Sequence, residues 1–284
     1  MDRKPNVSVI IAMYNSESCI EQAIQSVLQQ HKHGLDLEII VVDDGSSDKS
    51  VQIVSQLESD KIQLVPLSKN QGQALARNAG LELAKGEWIQ FLDSDDRIGE
   101  DLYAKFEKAV QPGFNCYLFS FIRELPGHSV MQTIRSINDK RAFGHFGGTV
   151  CNKFIRKDIC MPFKPLLYAD ICFCVDMMMN KDLHMGLLKD AYYFYNKKND
   201  QSVTSNFNKK EFKKMTDYLY TQISKADSLT RKFILEISLA FLFDRNIPRS
   251  VSFPIALKSL FTLYRHFPST LVNQNRKSID NKAL

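Results

Sequence analysis

The sequence predicts an α/β fold in which a parallel sheet carries helices on both faces. Apolar, strand-like runs alternate four times with helix-like segments in the first hundred residues, and the loops between them are short. The first two runs are apolar at nearly every position, as expected for strands buried on both faces. Such alternation builds a parallel sheet because parallel neighbours need a crossover connection.

The elements of this first part follow one another closely. Residues 7–13 (VSVIIAM) predict the first strand. Apolar residues recur with helical spacing from Ile20 to Leu28, which predicts a helix that ends before Gly34. Residues 37–42 (LEIIVV) predict the second strand. The pattern then predicts a helix around 49–57, a strand at 62–67, a helix over 71–85 and a strand at 88–92.

Beyond Glu100 the pattern is weaker but still mixed. A predicted helix reaches about Val110, and a glycine-rich stretch at 144–148 precedes Cys151-Asn152-Lys153. The remaining predictions are strands at 117–122 and 192–195, a helix at 173–179, and helices from Lys209 onward. We expect two domains, an α/β domain over 1–205 and a basic helical extension over 206–284.

Composition excludes several classes of protein. The 284 residues are 44% apolar and 24% charged with 12 glycines, which excludes disorder and collagen-like repeats. No apolar stretch approaches the roughly 20 residues of a membrane-spanning helix, and the N-terminus lacks the apolar core of a signal peptide. The six scattered cysteines predict free thiols. We therefore expect a cytoplasmic protein, which could also work at the inner face of the cell membrane.

Polar clusters follow three of the predicted strands. Tyr14-Asn15 follows the first strand, Asp43-Asp44 the second, and Asp93-Ser94-Asp95 the fourth. Parallel strands end at one rim of the sheet, and open sheets of this kind bind ligands, by default nucleotides, outside that rim. We expect the three clusters to form one site.

The Asp93-x-Asp95 pair favours a metal ion. Side chains two apart in extended structure point the same way, so the two carboxylates repel each other unless a cation lies between them. Mg²⁺ or Mn²⁺ shared with a nucleotide diphosphate fits this donor set. The alternative is an Asp-rich turn that caps the next helix.

Four blocks in register resemble the family 2 glycosyltransferases of the GT-A fold, a Rossmann-like nucleotide-sugar-binding domain. The strong part of the resemblance covers 7–101, and residues 151–153, 167–170 and 192–204 extend it. The blocks are VSVII with Tyr14-Asn15, VVDDGSSD at 41–48, NQG with ARNAG at 70–80, and GEWI with FLDSDD at 86–96.

The resemblance implies a role for each matching position. Ala12, Tyr14 and Asp44 would surround the uracil of a nucleotide sugar. Asp93 would hold the ribose and diphosphate side and act as a second metal ligand, while Asp95 would be the main one. Asp170 falls where the family places its catalytic base. Further donor contacts would come from Asn15, Gly72, Arg77, Ser94 and Lys153, although a lysine at the edge of a strand can also be merely solvated.

The chain departs from the family pattern at three places. Position 12 is Ala where the family often has Pro. Ala169 replaces the first acid of the family's Glu-Asp pair, which leaves Asp170 alone. Lys197 and Lys198 stand near where many members carry an Arg, and lysine lacks the bidentate geometry of arginine.

The resemblance thus implies an inverting, metal-dependent transferase of the hexosyl or N-acetylhexosaminyl class. The donor would be a nucleoside-diphosphate sugar, with a UDP-linked sugar favoured, and the acceptor a glycan or lipid-linked glycan of cell-surface polysaccharide biosynthesis. The alternative is a catalytically impaired nucleotide-sugar-binding module in a polysaccharide assembly complex. Phosphohydrolases with Asp-x-Asp require Thr or Val where this chain has Arg97, and pyrophosphorylases require a Gly-rich basic loop after the first strand.

The C-terminal part carries the positive charge. Residues 1–196 have a net charge of −4 and residues 197–284 of +9. Two apolar stripes there predict either core packing or peripheral association with an anionic membrane. Nucleic-acid binding is not expected, because the aromatics follow helical core spacing. The stripes consist of Phe233, Ile237, Ala240 and Phe241, and of Phe261, Leu263, Tyr264 and Phe267.

Overall fold

The computed structural model describes residues 6–30, 34–134, 149–196 and 208–240, together with Pro254. The chain divides into two compact units, Met1–Ser202 and Val203–Leu284. The expected domain boundary at 205/206 lies outside the described residues. So do the glycine-rich stretch 144–148, Lys197 and Lys198, Phe241 and the second apolar stripe.

The first unit begins with alternating strands and helices. The strands are β1 (Val7–Met13), β2 (Leu37–Asp43), β3 (Ile62–Pro66) and β4 (Trp88–Asp93). The helices between them are α1 (Ile20–Leu28), α2 (Ser50–Gln56) and α3 (Gln73–Leu83). Each of these seven elements coincides with a predicted one to within two residues at either end, which confirms the α/β prediction for this part of the chain.

The second part of the unit adds shorter and more varied elements. After the short β5 (Arg97–Ile98) come α4 (Leu102–Ala109), β6 (Cys116–Leu125) and β7 (His128–Gln132). They are followed by β8 (Lys153–Arg156), a 3₁₀ turn at Lys157–Ile159, α5 (Ala169–Met179) and β9 (Met185–Asn196). The sequence pattern did not predict β5, β7 or β8, and it predicted only the last part of β9.

The described strands form one mixed sheet in the order β3-β2-β1-β4-β8-β6-β9-β5, with β7 paired to β6. Strands β1 to β4 are mutually parallel, and β8 joins β4 in antiparallel register. In the parallel part Met13 lies beside Asp43 and Ala12 beside Asp93. The predicted polar clusters therefore emerge at one rim, on three adjacent strands.

Helix α3 packs closely against β1 and β2 because Gly80 has no side chain. A Cβ atom at Gly80 would lie 2.5 Å from Ile10 Cγ2 and 3.3 Å from Val42 Cγ2. This close approach brings Arg77, one turn earlier on the same helix, to the end of the sheet. Gly80 thus contributes to the position of a charged side chain in the site.

Aromatic side chains fill the core beneath the rim. The rings of Phe163 and Phe173 stack with their centroids 4.4 Å apart, and Phe91 meets Phe163 edge-on at 5.0 Å. Because Phe173 belongs to α5 and Phe91 to β4, this cluster fixes the start of α5 against the carboxyl end of β4.

The second unit contains α6 (Lys209–Ile223) and α7 (Ser228–Ala240) among the described residues. Phe212, Met215 and Leu219 on α6 are buried, as is Phe233 at 5% exposure. Of the first predicted stripe, Ile237 is half-buried and the side chains of Ala240 and Phe241 lie outside the described part, so the choice between core packing and membrane contact for the whole stripe stays a prediction. Among the described residues, no helix is long and apolar enough to span a membrane, and all six cysteines are free thiols, as predicted.

Candidate active site

The turn after β2 has its carboxylates bound by backbone amides. The Asp43 carboxylate accepts the Ser46 N–H at 3.2 Å. Both oxygens of Asp44 accept N–H groups from the loop before α3, at 2.7 Å from Gln71 and 2.8 Å from Gly72. Gly72 has a φ of 93° and open space around its missing Cβ, so its backbone conformation, not crowding, requires glycine.

The loop after β1 is joined to both neighbouring turns. Asn15, with a left-handed φ of 48°, accepts the Ser47 N–H at 2.8 Å through its side-chain oxygen. Ser16 Oγ and Ser94 Oγ are 2.8 Å apart and hydrogen-bonded. Tyr14, the first residue of this loop, is 48% exposed, whereas Ala12 near the end of β1 is buried. Tyr14 is thus available to stack on a planar ligand, which is consistent with its expected contact with a base.

In the turn after β4, other side chains bind the Asp93 carboxylate, whereas no hydrogen bond from another described residue reaches the Asp95 carboxylate. Asp93 Oδ1 accepts from Arg77 Nη2 at 2.6 Å and from Gln73 Nε2 at 3.1 Å. Asp95 is half-buried beside Asp93. Desolvation, and to a smaller extent the like charge of Asp93, raises the pKa of Asp95 to about 6. No basic side chain in the described part of the chain forms an ion pair with Asp95.

Arg77 connects the metal-type carboxylates to the proposed base. Its side chain is 1% exposed, and its two Nη atoms donate to Asp93 and to Asp170. Its guanidinium also lies 5.1 Å from the ring centre of Phe163. The sequence suggested Arg77 as a donor contact, but its buried guanidinium is occupied by two carboxylates. Its direct effect in the structure is to hold Asp93 and Asp170 on either side of the guanidinium group.

Asp170 occupies the first turn of α5, directly after a strained residue. Tyr168, which precedes the helix, has a left-handed φ of 54°, a conformation that non-glycine residues rarely adopt. Desolvation raises the pKa of Asp170, while the Arg77 guanidinium opposes that shift. The Asp170 side chain retains 26% exposure. It can therefore meet a bound molecule while Arg77 fixes its orientation.

Lys153 requires a correction. Its side chain is 1% exposed, so the expectation of a solvated lysine on a strand edge is wrong. Its Nζ donates to the Thr149 carbonyl at 2.5 Å and to Asn152 Oδ1 at 2.7 Å. Burial lowers the pKa of Lys153. These contacts do not support a direct bond from Lys153 to a donor diphosphate. They join the start of β8 to Thr149 and Asn152.

Sequence reasoning missed Asp96, Tyr193 and Tyr195. Tyr193 Oη donates to Asp96 Oδ2 at 2.6 Å and accepts the Asp93 N–H at 3.2 Å. Burial and the charges of Asp93 and Asp95 raise the pKa of Asp96 to about 9. Burial and the same three carboxyl groups raise the pKa of Tyr195 to about 12. The aromatic run 192–195 was the available signal, but its contact with the acidic turn depends on β9 joining the sheet.

The carboxylates fit a divalent cation. Arg77 is the direct basic partner of Asp93 and Asp170, and no described basic side chain forms an ion pair with the neighbouring Asp95. No group of three or more metal-ligating side chains occurs in the described ranges. Mg²⁺ and similar ions are commonly held by one or two carboxylates, with substrate phosphates and water completing the shell. Asp95, and the Asp93 oxygen not bound to Arg77, match that mode.

The site combines an exposed aromatic residue, two carboxylates of one acidic turn and a third carboxylate bound to Arg77 at one rim of an α/β sheet. The sheet and its acidic rim are those of the GT-A fold class. The sequence model of Glycosyl transferase family 2 matches residues 8–174. The chain belongs to this family of glycosyltransferases, which confirms the resemblance and the fold class.

Named relatives and solved structures agree with this assignment. TuaG of Bacillus subtilis, provisionally named a teichuronic acid biosynthesis glycosyltransferase, is 35% identical over 63% of this chain and 64% of its own length. The succinoglycan biosynthesis protein ExoO of Rhizobium meliloti is 41% identical over 40% of this chain and 32% of its own length. The chain thus spans 32% and 64% of the lengths of these two relatives. The structure of S. aureus TarS 1–349 with UDP-GlcNAc has a TM-score of 0.64 at 21% identity, over 92% of this chain and 73% of that one.

Proposed function

We propose that this chain is an inverting glycosyltransferase that uses a UDP-linked sugar and a divalent metal ion, Mn²⁺ or Mg²⁺. Its acceptor is a glycan or lipid-linked glycan of cell-surface polysaccharide biosynthesis. The observation that carries the proposal is the Asp93–Arg77–Asp170 arrangement. It holds one carboxylate on the donor side and a second, partly exposed carboxylate where an acceptor hydroxyl could approach.

Asp170 is suited to act as the general base. An inverting transfer needs a carboxylate that removes the acceptor hydroxyl's proton on the face opposite the leaving diphosphate. Desolvation raises the pKa of Asp170 and makes it a stronger base than an exposed aspartate, while Arg77 opposes that shift. A bound divalent cation would neutralise charge on the departing diphosphate. Because Arg77 forms an ion pair with Asp170, it sets the orientation of the base.

The choice of donor rests on the comparisons. TarS has been solved with UDP and with UDP-GlcNAc, and a mannosyltransferase from Pyrobaculum calidifontis with GDP-Man and Mn²⁺ has a TM-score of 0.60 at 16% identity. We favour uridine because residues 12, 14 and 44 match the family positions expected around uracil. A thermal-shift panel of UDP, GDP and their sugar conjugates, each with and without Mn²⁺, tests the choice. Stabilisation by GDP alone would contradict uridine.

Asp170→Asn tests the base. The amide cannot accept the proton, so we expect kcat to fall by a factor on the order of 10² to 10⁴ while UDP-sugar affinity is kept. Asp176→Asn is a matched control because Asp176 is a buried, ion-paired carboxylate on the same helix, 2.5 Å from Lys164 Nζ. Turnover that falls equally in both variants, or in neither, would contradict the assignment of Asp170 as the base.

A nucleotide-sugar-binding module without catalysis is the second candidate. Ala169 stands where the family has an acid, and the Arg77 ion pair opposes the basicity of Asp170. A transferase usually hydrolyses some of its donor without an acceptor. Release of UDP from UDP-sugars with Mn²⁺, abolished by Asp170→Asn, would separate the enzyme from the module. Tight donor binding without any hydrolysis or transfer would favour the module.

Membrane association is proposed to be weak and electrostatic in the described helices. Lys209, Lys210, Lys213 and Lys214 are exposed on α6, whereas the apolar face of that helix is buried. Each lysine near an anionic surface contributes about 1 kcal/mol, and salt screens this attraction. Co-sedimentation with anionic vesicles should therefore disappear as salt rises. Pelleting that persists at high salt would indicate apolar insertion by another segment.

A further inference from the structure

Tyr193 joins both ends of the acidic turn 93–96. Its hydroxyl accepts the Asp93 N–H at 3.2 Å and donates to Asp96 Oδ2 at 2.6 Å. The other Asp96 oxygen accepts the Asn196 N–H at 2.7 Å. Tyr193 is 1% exposed, so its hydroxyl serves the protein and not a bound donor.

Asp95 lies between the two residues that this tyrosine binds. Asp93 and Asp95 are like-charged groups two residues apart in one short turn, so they repel each other, and the turn itself is closed by one backbone bond, from the Asp96 N–H to the Asp93 carbonyl at 3.1 Å. Repulsion between the carboxylates favours an opened turn when no cation is bound. The Tyr193 and Asp96 hydrogen bonds oppose that opening from outside the turn.

The tyrosine ring is itself held rigidly. Tyr193 is paired with Phe121 on β6 and with Ile98 on β5. Its ring meets that of Phe121 edge-on, with centroids 5.5 Å apart. A hydroxyl on such a ring has a fixed position, so its two hydrogen bonds define where the turn lies relative to β9.

We propose that Tyr193 and Asp96 are positioning residues that hold Asp95 and Asp93 in the arrangement that binds the donor's divalent cation. This inference rests on the proposed function, since it assumes a metal-dependent nucleotide site. It also predicts different roles for the three carboxyl groups of the turn. Asp93 and Asp95 face the ligand, whereas Asp96 faces the protein and fixes the other two.

Tyr193→Phe tests the proposal because it removes one oxygen and keeps the ring packing. UDP binding is measured by calorimetry over a series of Mn²⁺ concentrations. We expect the Mn²⁺ concentration for half-maximal UDP binding to rise about 10- to 100-fold, the usual effect of losing an outer hydrogen bond to a metal ligand. UDP affinity without Mn²⁺ should stay unchanged.

Tyr117→Phe is the matched control. Tyr117 is a buried tyrosine near the start of β6, and its hydroxyl donates to the Ala109 carbonyl and accepts the Gln111 N–H, both at 3.0 Å. This variant loses the same number of hydroxyl hydrogen bonds at the other end of the β6–β9 pair, where Tyr117 lies beside Gly186. Its Mn²⁺ dependence should match that of the wild type even if its melting temperature falls.

The outcomes separate this inference from the proposed function. A wild type that binds no UDP at any Mn²⁺ concentration would overturn both. A wild type with Mn²⁺-dependent UDP binding whose dependence is unchanged in Tyr193→Phe, or changed equally in Tyr117→Phe, would overturn the inference alone. Should Tyr193→Phe not fold, Asp96→Asn gives the same test, and an unchanged Mn²⁺ dependence in that variant would overturn the positioning role.

Discussion

The turns after β2 and β4 are both rich in aspartate and serine, and both strands lie beside β1, yet their carboxylates are in different electrostatic states. In the first turn Asp43 and Asp44 accept backbone N–H groups from Ser46, Gln71 and Gly72. In the second turn Asp95 has no basic partner among the described residues, and burial beside Asp93 raises its pKa to about 6.

The difference shows that acidic composition alone does not define a metal site. Backbone N–H groups already satisfy the carboxylate oxygens of the first turn, so that turn shapes the loop before α3. Buried carboxylates that face each other without such donors need an external positive charge. The second turn is therefore the one that we expect to respond to Mn²⁺.

Among changes in these two turns, Asp95→Asn should have the largest effect. The amide keeps the shape but removes the charge that the cation needs, so transfer should fall by a factor on the order of 10² to 10³, the cost of losing one electrostatic contact to the reacting groups. The Mn²⁺-dependent part of UDP binding should disappear, as measured by calorimetry with and without the metal. Undiminished UDP binding and activity would show that Asp95 is not a metal ligand and that the two turns do not differ in metal binding.

The pH dependence of the unfolding free energy of the metal-free protein tests whether Asp95 is destabilised in the turn after β4. The pKa of Asp95 in the folded chain, about 6, lies above its ordinary value of 3.8, so its ionisation costs stability as the pH rises from about 4 to 6. Asp95→Asn should therefore raise the free energy of unfolding at pH 8 by an amount on the order of 1 kcal/mol and change it little at pH 4. Urea denaturation at the two pH values measures this. A variant that is less stable than the wild type at pH 8 would contradict the assigned repulsion.

The same pKa predicts how metal affinity depends on pH. Protonated Asp95 cannot bind a cation, so the Mn²⁺-dependent gain in UDP affinity should decrease as the pH falls through about 6. UDP affinity measured without Mn²⁺ at each pH is the control. A metal-dependent gain that is constant from pH 8 to pH 5 would argue against Asp95 as a ligand.

Asp44→Asn should show the opposite behaviour in the first turn. Asparagine has one acceptor oxygen, so one of the N–H groups of Gln71 and Gly72 would lose its partner at a cost of about 1 to 3 kcal/mol. We expect lower stability in urea and weaker UDP binding by the same factor with and without Mn²⁺. A selective loss of the Mn²⁺-dependent part would place Asp44 with the metal ligands instead.

Ser94→Ala should have the smallest effect. It removes the 2.8 Å hydrogen bond between Ser94 and Ser16, which joins the loop after β1 to the turn after β4. We expect a loss of about 0.5 to 1.5 kcal/mol in unfolding free energy and a modest rise in KM for the donor. Ser16→Ala removes the same bond from the other side, and the double variant should cost no more than the larger single one if the two hydroxyls act only on each other.

The order of the first seven elements and the rim at which their polar clusters end were determined by the sequence alone. Apolar runs such as 37–42 have one stable position in an α/β fold, buried between helices, and the carboxyl ends of parallel strands must share a rim. That is why Tyr14, Asp44 and Asp93 could be placed together in advance. Asp170 was placed by its resemblance to a family position, and its contact with Arg77 was not foreseen.

The tertiary structure decided which charged groups meet and which are buried. The sequence suggested the same role, a donor contact, for Lys153 and Arg77. In the structure Lys153 binds the Thr149 carbonyl and the Asn152 amide oxygen, whereas Arg77 joins two carboxylates. Tyr193 reaches Asp96, 97 positions away, only because β9 joins the sheet. Local pattern records which face of an element is apolar, whereas ion pairs and shifted pKa values depend on contacts between distant elements, and these exist only once the chain has folded.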